Sequence, residues 1–308
     1  MLKKQTIISW LSIGTIFASS SVLAQPILTE IEPFKPIPES TPLPLEESPN
    51  SDSIPIYVPP VEQSQPKSTS SCHNFLAPAM TKIINRYGGA WGILVQRLDN
   101  GETIYQYNAD RHFIPASNMK LLTTAAALQK LSPNTTISAN KSLTEWVKVT
   151  NLISNNYYAD TLLKKIGGSW IAKKTLSELG VNPDSFKFAD GSGLSRNNSA
   201  TPRALVDTLR MMYSNPNRDI FFASLPTAGV SGTLRNRMKQ TSVKGIVHAK
   251  TGTLRGVRAL SGYLDHREYG TLIFSILANA PNQSGTALVK AIDQMVVTIN
   301  QTSSSSCQ

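Results

Sequence analysis

The alternation of apolar and polar positions divides most of the chain into helices and strands. From Asn74 to Tyr87, Leu76, Met80, Ile83 and Ile84 recur at helical spacing and predict a first helix. Trp91 to Leu98 and Thr103 to Tyr107 alternate as strands do, and Asp99-Asn-Gly-Glu102 supplies the turn between them. Pro115 to Leu128 is apolar nearly all round (Leu121, Leu122, Ala125, Ala126, Leu128), the pattern of a helix buried in a domain centre. A helix over Leu143 to Ile153 opens on Ser142 and Glu145, spaced as a capping box. Helices over Tyr157 to Ile166 and Ile171 to Leu179 close on Gly167 and Gly180, and Thr201 to Tyr213 carries Pro202 in its first turn. Strand patterns return over Gly245–Thr253, Arg258–Leu264 and Gly270–Asn279, with Asp265 to Glu268 turning between the last two. A final amphipathic helix over Ser284 to Asn300 places Leu288, Ala291, Ile292, Met295, Val296 and Ile299 on one face. Strands at both ends with helices between predict an α+β fold: one antiparallel sheet flanked by helices, with a helical lobe inserted at roughly residues 115–240. No internal repeat is present.

Composition changes the picture at the N-terminus. Of 308 residues, 40% are apolar, enough for a large core. Met1 to Ala24 begins with Lys3 and Lys4, continues as a mostly apolar run from Thr6 to Phe17, and offers Val22-Leu-Ala24 before Gln25. This is the pattern of a cleaved secretory signal; as a membrane anchor the run is short against the ~20 residues of a span. Gln25 to Ser71 holds eleven of the nineteen prolines and lacks periodicity, which predicts an extended, disordered tether. The folded domain then covers residues 72–308. An exported protein, periplasmic or otherwise in the cell envelope, is the expectation.

Charge is unevenly divided. The net charge is +10 at pH 7; the signal carries +2 and the tether −5, which leaves +13 from Cys72 onward. Export and the lack of basic runs with interleaved aromatics argue against nucleic acid, and an anionic envelope polymer is the better partner. Cys72 and Cys307 sit at the two ends of the domain; export permits a disulfide between them, with two free thiols as the alternative.

Three short motifs carry the candidate chemistry: Ser117-x-x-Lys120, Ser154-x-Asn156 and Lys250-Thr251-Gly252. Ser117 and Lys120 share one helix face, and burial favours the neutral, basic form of the lysine. Each motif alone is weak, since Ser-x-x-Lys is common and Ser154 to Asn156 by itself reads more readily as an exposed helix-end loop. Asp160 and Glu178 are conceivable bases but suit a solvated helix face better. The four histidines lack metal-ligand spacing, and there is no Gly-x-Ser-x-Gly elbow, so neither a metal nor a cofactor is expected.

In this order the motifs are those of penicillin-binding proteins and serine β-lactamases. Together with Ser154 to Asp160, Asp190-Gly-Ser-Gly-Leu-Ser195, Leu225 to Leu234 and His248 to Thr253, the chain resembles the D-alanyl-D-alanine carboxypeptidase/endopeptidase family of the penicillin-binding protein 4 type. The resemblance runs from about Asn74 to Asn300. It implies the penicillin-binding transpeptidase/serine β-lactamase-like fold and a penicillin-sensitive serine peptidase acting on peptidoglycan, with β-lactams as covalent inhibitors. Ser117 is then the nucleophile, Lys120 its base and Ser154 a proton relay. Asn156, Lys250, Thr251, Gly252 and Thr253 bind substrate, Lys250 as a fixed positive charge, Gly252 by letting the strand approach, and the amides of Ser117 and Thr253 as the oxyanion hole. Members of the family usually carry a long insertion between the first two motifs; here the serines lie thirty-seven positions apart, and the accessory domains are absent. A β-lactamase, for which no Glu-x-x-x-Asn base segment is present, and a wall-binding protein with a degenerate site are the alternatives.

Overall fold

The computed structural model describes residues 76–303 except Ala139. The expected signal, the tether, Cys72 and Cys307 lie outside the described residues. The central sheet is antiparallel throughout, with strand order β2-β1-β9-β8-β7. Its strands are β1 (Ala90–Arg97), β2 (Thr103–Tyr107), β7 (Val247–Leu254), β8 (Val257–His266) and β9 (Gly270–Asn279). The N-terminal hairpin joins the C-terminal meander along the β1–β9 ladder, from Ala90 opposite Asn279 to Arg97 opposite Leu272.

Both faces of the sheet are covered, which explains why β8 and β9 are buried almost along their full length. On one face, Ile93, Val95, Leu260, Phe274 and Ile276 pack against α1 (Leu76–Tyr87) and α8 (Gly285–Asn300). α8 contributes all six apolar residues of its predicted stripe, each fully buried side chain stabilising by about 1.5–3 kcal/mol. On the other face, Leu94, Ala259, Tyr263, Ile273 and Leu277 join the core of the inserted lobe. At the centre of that lobe is α2 (Met119–Lys130), buried from Met119 to Leu128. Around it stand α3 (Leu143–Leu152), α4 (Asn156–Lys165), α5 (Gly168–Glu178) and α6 (Pro202–Tyr213), with a short α7 (Arg218–Ala223).

Local sequence sets the ends of these helices. Ser142 and Glu145 form the complete reciprocal capping box of α3. Asn155 caps α4 by accepting from Tyr158 N at 3.0 Å, and Thr201 caps α6 by accepting from Ala204 N at 3.0 Å. The lobe also holds two short ribbons that periodicity is too coarse to reveal. β3 (Thr136–Ser138) pairs with β4 (Lys141–Ser142), and β5 (Phe186–Lys187) pairs with β6 (Ser199–Ala200). The second ribbon closes the neck of a loop, residues 188–198, that reaches the site. Among the described residues no helix is long and apolar enough to cross a membrane.

Candidate active site

Ser117 lies in a single 3-10 turn, Ala116–Asn118, that runs straight into α2. Three contacts fix this turn. The Asn279 side chain on β9 accepts from Ile114 N at 2.9 Å and donates to Ile114 O at 3.1 Å. Asn118, fully buried, donates to Ser261 Oγ at 2.7 Å, and that hydroxyl donates to Ser275 Oγ at 2.8 Å, tying the turn to β8 and β9. Gly252 on β7 lies flat against it: a Cβ there would stand 2.8 Å from Pro115 O and 3.3 Å from the Ala116 Cβ. The close approach that Gly252 permits in this structure is thus between β7 and the segment carrying the serine. Ala116 adopts φ 48°, a left-handed conformation that costs a non-glycine residue about 1–2 kcal/mol and that burial of the turn enforces.

Lys120 is buried, and its Nζ donates to Ser117 Oγ at 3.0 Å, Asn156 Oδ1 at 2.8 Å and Ser192 O at 2.5 Å. Two of these partners are acceptors only; Ser117 alone has a proton to give. A neutral amine has two N–H bonds and one lone pair. With Asn156 Oδ1 and Ser192 O taking the N–H bonds, the lone pair is left facing the serine hydroxyl. Burial lowers the Lys120 pKa to about 8, against the opposing pull of Asp160 and Asp190.

A second serine–lysine pair faces the first. Lys250 on β7 donates to Ser154 Oγ at 2.8 Å and to Thr251 O at 3.0 Å. Ser154 has φ 61°, again left-handed and non-glycine, at the junction of α3 and α4. Among the described residues the hydrogen bond of Ser154 runs to Lys250 and none joins it to Lys120. Burial also lowers the Lys250 pKa, well below its ordinary value, and the charge of Lys120 lowers it further. Burial thus opposes the positive charge expected of Lys250, while Asp160 and Asp190 favour the charged form of Lys120. Thr251 Oγ1 lies 2.7 Å from Thr233 Oγ1. The edge of β7 is covered up to Ala249 by residues 226–228, through Ala228 N to Val247 O and Ala249 N to Pro226 O, both 2.9 Å. Thr253, beyond the covered part, is exposed.

With this geometry in place, comparison with known proteins settles the lineage. The model of the D-Ala-D-Ala carboxypeptidase 3 (S13) family matches residues 76–142 and 138–302. The chain belongs to that family. The D-alanyl-D-alanine carboxypeptidase of Actinomadura sp. (strain R39) is 40% identical over 183 residues, 54% of this chain and 33% of that protein. The chain spans about a third of the length of the curated relatives it matches first. Among solved structures, penicillin binding protein 4 from Haemophilus influenzae superposes with a TM-score of 0.62 at 14% identity, covering 70% of this chain and 97% of that one. A β-lactamase from Chitinophaga pinensis gives 0.64 at 18% identity, covering 74% and 98%. At such identities the likeness establishes the shared fold. The two family segments meet at residues 138–142, within the β3–β4 ribbon. Between Ser117 and Ser154 the S13 chain holds only the rest of its turn, α2, this ribbon and α3.

The sequence reading brought all three motifs to one place but missed what holds them. The 188–198 loop is folded around Asp190, whose carboxylate accepts from Gly193 N (2.6 Å), Ser195 N (2.6 Å), Asn198 Nδ2 (2.9 Å) and Ser192 Oγ (3.2 Å). Burial raises the pKa of this carboxyl, but those four bonds outweigh it and leave the pKa lowered. Gly193 at φ 79° packs against the turn that carries Ser117, where a Cβ would fall 1.8 Å from Ala116 O. Asp160 is exposed on α4, as expected, yet its Oδ1 is not idle: it accepts from Gly191 N and Ser192 N, both at 2.9 Å. The signal available in the sequence was the Asp-Gly-Ser-Gly run itself, which marks a turn without saying what the turn touches.

Proposed function

We propose that this S13 chain is a serine-type D-Ala-D-Ala carboxypeptidase/endopeptidase that acts on peptidoglycan stem peptides through an acyl-enzyme on Ser117 and is trapped by penicillin. The observation that carries the proposal is the Lys120 Nζ, held by two oxygens that only accept and one hydroxyl that can donate. Lys120 takes the Ser117 proton as Oγ forms a bond to the carbonyl carbon of the penultimate D-alanine. The backbone amides of Ser117 and Thr253 stabilise the resulting oxyanion, at about 3 kcal/mol per donor. The carbon–nitrogen bond then breaks, and the leaving amine takes the proton that Lys120 received from Ser117, relayed through Ser154, which returns Lys120 to its neutral form. Water completes the cycle by the reverse sequence and frees the shortened peptide. The open edge of β7 beyond Ala249 suits an extended peptide added as a further strand. Thr251, oriented by Thr233, and Lys250 receive the terminal carboxylate, and Asn156 keeps its amide N–H for the substrate backbone. A carboxylate beside Lys250 favours that lysine's charged form, and a charge on Lys250 in turn favours the neutral form of Lys120.

A β-lactam enters the same steps, but its opened ring keeps the leaving amine tethered, so the acyl-enzyme persists. A β-lactamase reading is disfavoured because the chain belongs to the S13 family, and the carboxylates that act on Lys120, Asp160 and Asp190, accept from the backbone amides of the 188–198 loop. The basic domain, the signal-like first 24 residues and the proline-rich stretch after them fit an exported enzyme at the anionic cell wall, with Cys72 and Cys307 free to bridge there. Mass spectrometry of muropeptides before and after incubation with the protein tests this reading. Loss of one alanine, or of cross-links, supports it; an unchanged muropeptide profile with wild-type protein overturns it.

A further inference from the structure

Two consecutive peptide planes beside Lys120 are each held at both ends. In the first, Gly191 O accepts from Thr123 Oγ1 at 2.7 Å and Ser192 N donates to Asp160 Oδ1 at 2.9 Å. In the second, Ser192 O accepts from Lys120 Nζ at 2.5 Å and Gly193 N donates to Asp190 Oδ1 at 2.6 Å. Asp160 Oδ1 also accepts from Gly191 N, so one carboxylate oxygen gathers two successive amides. The loop lies close on α4 at this point: a Cβ on Gly191 would stand 2.6 Å from Ala159 O. Asp160 sits one turn after Asn156 on the same helix face. α4 thus addresses Lys120 twice, directly through Asn156 Oδ1 and indirectly through Asp160, which holds the peptide plane next to the one that carries the Ser192 carbonyl.

We infer that Asp160 is a positioning residue for Lys120: by holding the amides of Gly191 and Ser192 it fixes the peptide plane next to the one that Asp190 holds through Gly193 N, and so sets where the Ser192 carbonyl meets Nζ. This carbonyl and Asn156 Oδ1 then take the two N–H bonds, and the lone pair points at Ser117. The inference rests on the proposed function for the role of Lys120 as base, while its structural content stands on the hydrogen bonds alone. Without the Asp160 carboxylate the two amides lose their acceptor, the loop turns, and the lysine loses its second anchor. The charge of Asp160 has a separable effect. Lys120 is faced by Asp160 on α4, Asp190 on the loop and Lys250 on β7, and the two carboxylates favour its protonated form. Asp160→Asn keeps an oxygen for the two amides but removes one of those charges, so Lys120 gives up its proton at lower pH.

The test uses the full chain in three forms: wild type, Asp160→Asn and Asp160→Ala, with circular dichroism to establish that each is folded. Two readouts are taken. One is the titration of Lys120 by NMR on lysine-labelled protein, assigned by the signal missing from Lys120→Arg. The other is the pH profile of acylation by fluorescent penicillin. In Asp160→Asn the Lys120 midpoint and the acid limb of acylation both move toward acid, by about one pH unit. In Asp160→Ala the plateau acylation rate falls by about 10²-fold, as expected for a reacting group misplaced by about 1 Å, and Asp160→Asn recovers most of it. A Lys120 midpoint unmoved in Asp160→Asn, with Asp160→Ala acylating at the wild-type rate, overturns the inference. Wild-type protein that is never acylated, with a Lys120 midpoint that still moves in Asp160→Asn, sinks the enzymatic reading and leaves Asp160 as the residue that sets the state of Lys120.

Discussion

Replacing Lys120 by methionine should change the way stability depends on pH, by an amount the structure sets. Methionine keeps the length and most of the volume of the side chain but cannot be charged. Lys120 is fully buried, and its pKa stands at about 8 instead of the ordinary 10.5. The folded state therefore binds fewer protons than the unfolded chain between those two values, and stability rises with pH across that window. Below about pH 8 the full cost applies: a displacement from 10.5 to about 8 is worth about 3 kcal/mol, and above 10.5 it vanishes. Lys120→Met escapes this cost. It also relieves Lys250 of a neighbouring positive charge, which adds in the same direction. The hydrogen bonds lost to Asn156 and Ser192 lower the stability of the variant by a pH-independent amount, so the informative quantity is the change in the difference between the two proteins. Urea unfolding of both at pH values just below 8 and near 10.5 measures it. Relative to Lys120→Met, wild type should gain about 3 kcal/mol on going to the higher pH. Parallel pH dependences in the two proteins would refute the claim that burial holds Lys120 near neutrality.

Three further outcomes follow from single contacts. Gly193→Ala forces a Cβ toward Ala116 O at a backbone angle unfavourable to alanine, so the 188–198 loop must move off the turn that carries Ser117; penicillin acylation should fall by about 10²-fold in stopped-flow assays. Ser142→Ala removes half of the α3 capping box far from the lysines; chemical denaturation should show a loss of about 1 kcal/mol while the acylation rate holds. Thr233→Val frees the Thr251 hydroxyl from its 2.7 Å partner, and the KM for a D-alanyl-D-alanine peptide should rise several-fold with kcat less affected.

The elements that build the scaffold were legible because each repeats a simple pattern. The α8 stripe, the glycine stops after α4 and α5, and the Ser142–Glu145 box all appear where the sequence predicts them. The three motifs were legible because their side chains and their order along the chain are those of a known family. What stayed hidden depends on long-range backbone geometry. Nothing in Pro115-Ala-Ser signals that Ala116 turns left-handed, since the conformation is imposed by Gly252 and Gly193 packing from distant parts of the chain. Ser154 is left-handed for a comparable reason, at a junction where Lys250 claims its hydroxyl. Asn155, the unremarked middle residue of its motif, is the cap that starts α4 and so directs Asn156 at Lys120. Asp160 is a surface carboxylate whose partners stayed hidden, because they are backbone amides thirty-one and thirty-two positions away and backbone amides leave no trace in sequence.

The central claim, that Ser117 is a nucleophile served by Lys120, is tested most directly by intact-mass spectrometry after exposure to benzylpenicillin. Wild-type protein should gain the mass of one penicilloyl group, and peptide mapping should place it on the segment containing Ser117. The adduct should be absent from Ser117→Ala and strongly slowed in Lys120→Met, with both variants folded. An adduct that survives in Ser117→Ala, or a folded wild-type protein that never acquires one, would contradict the account.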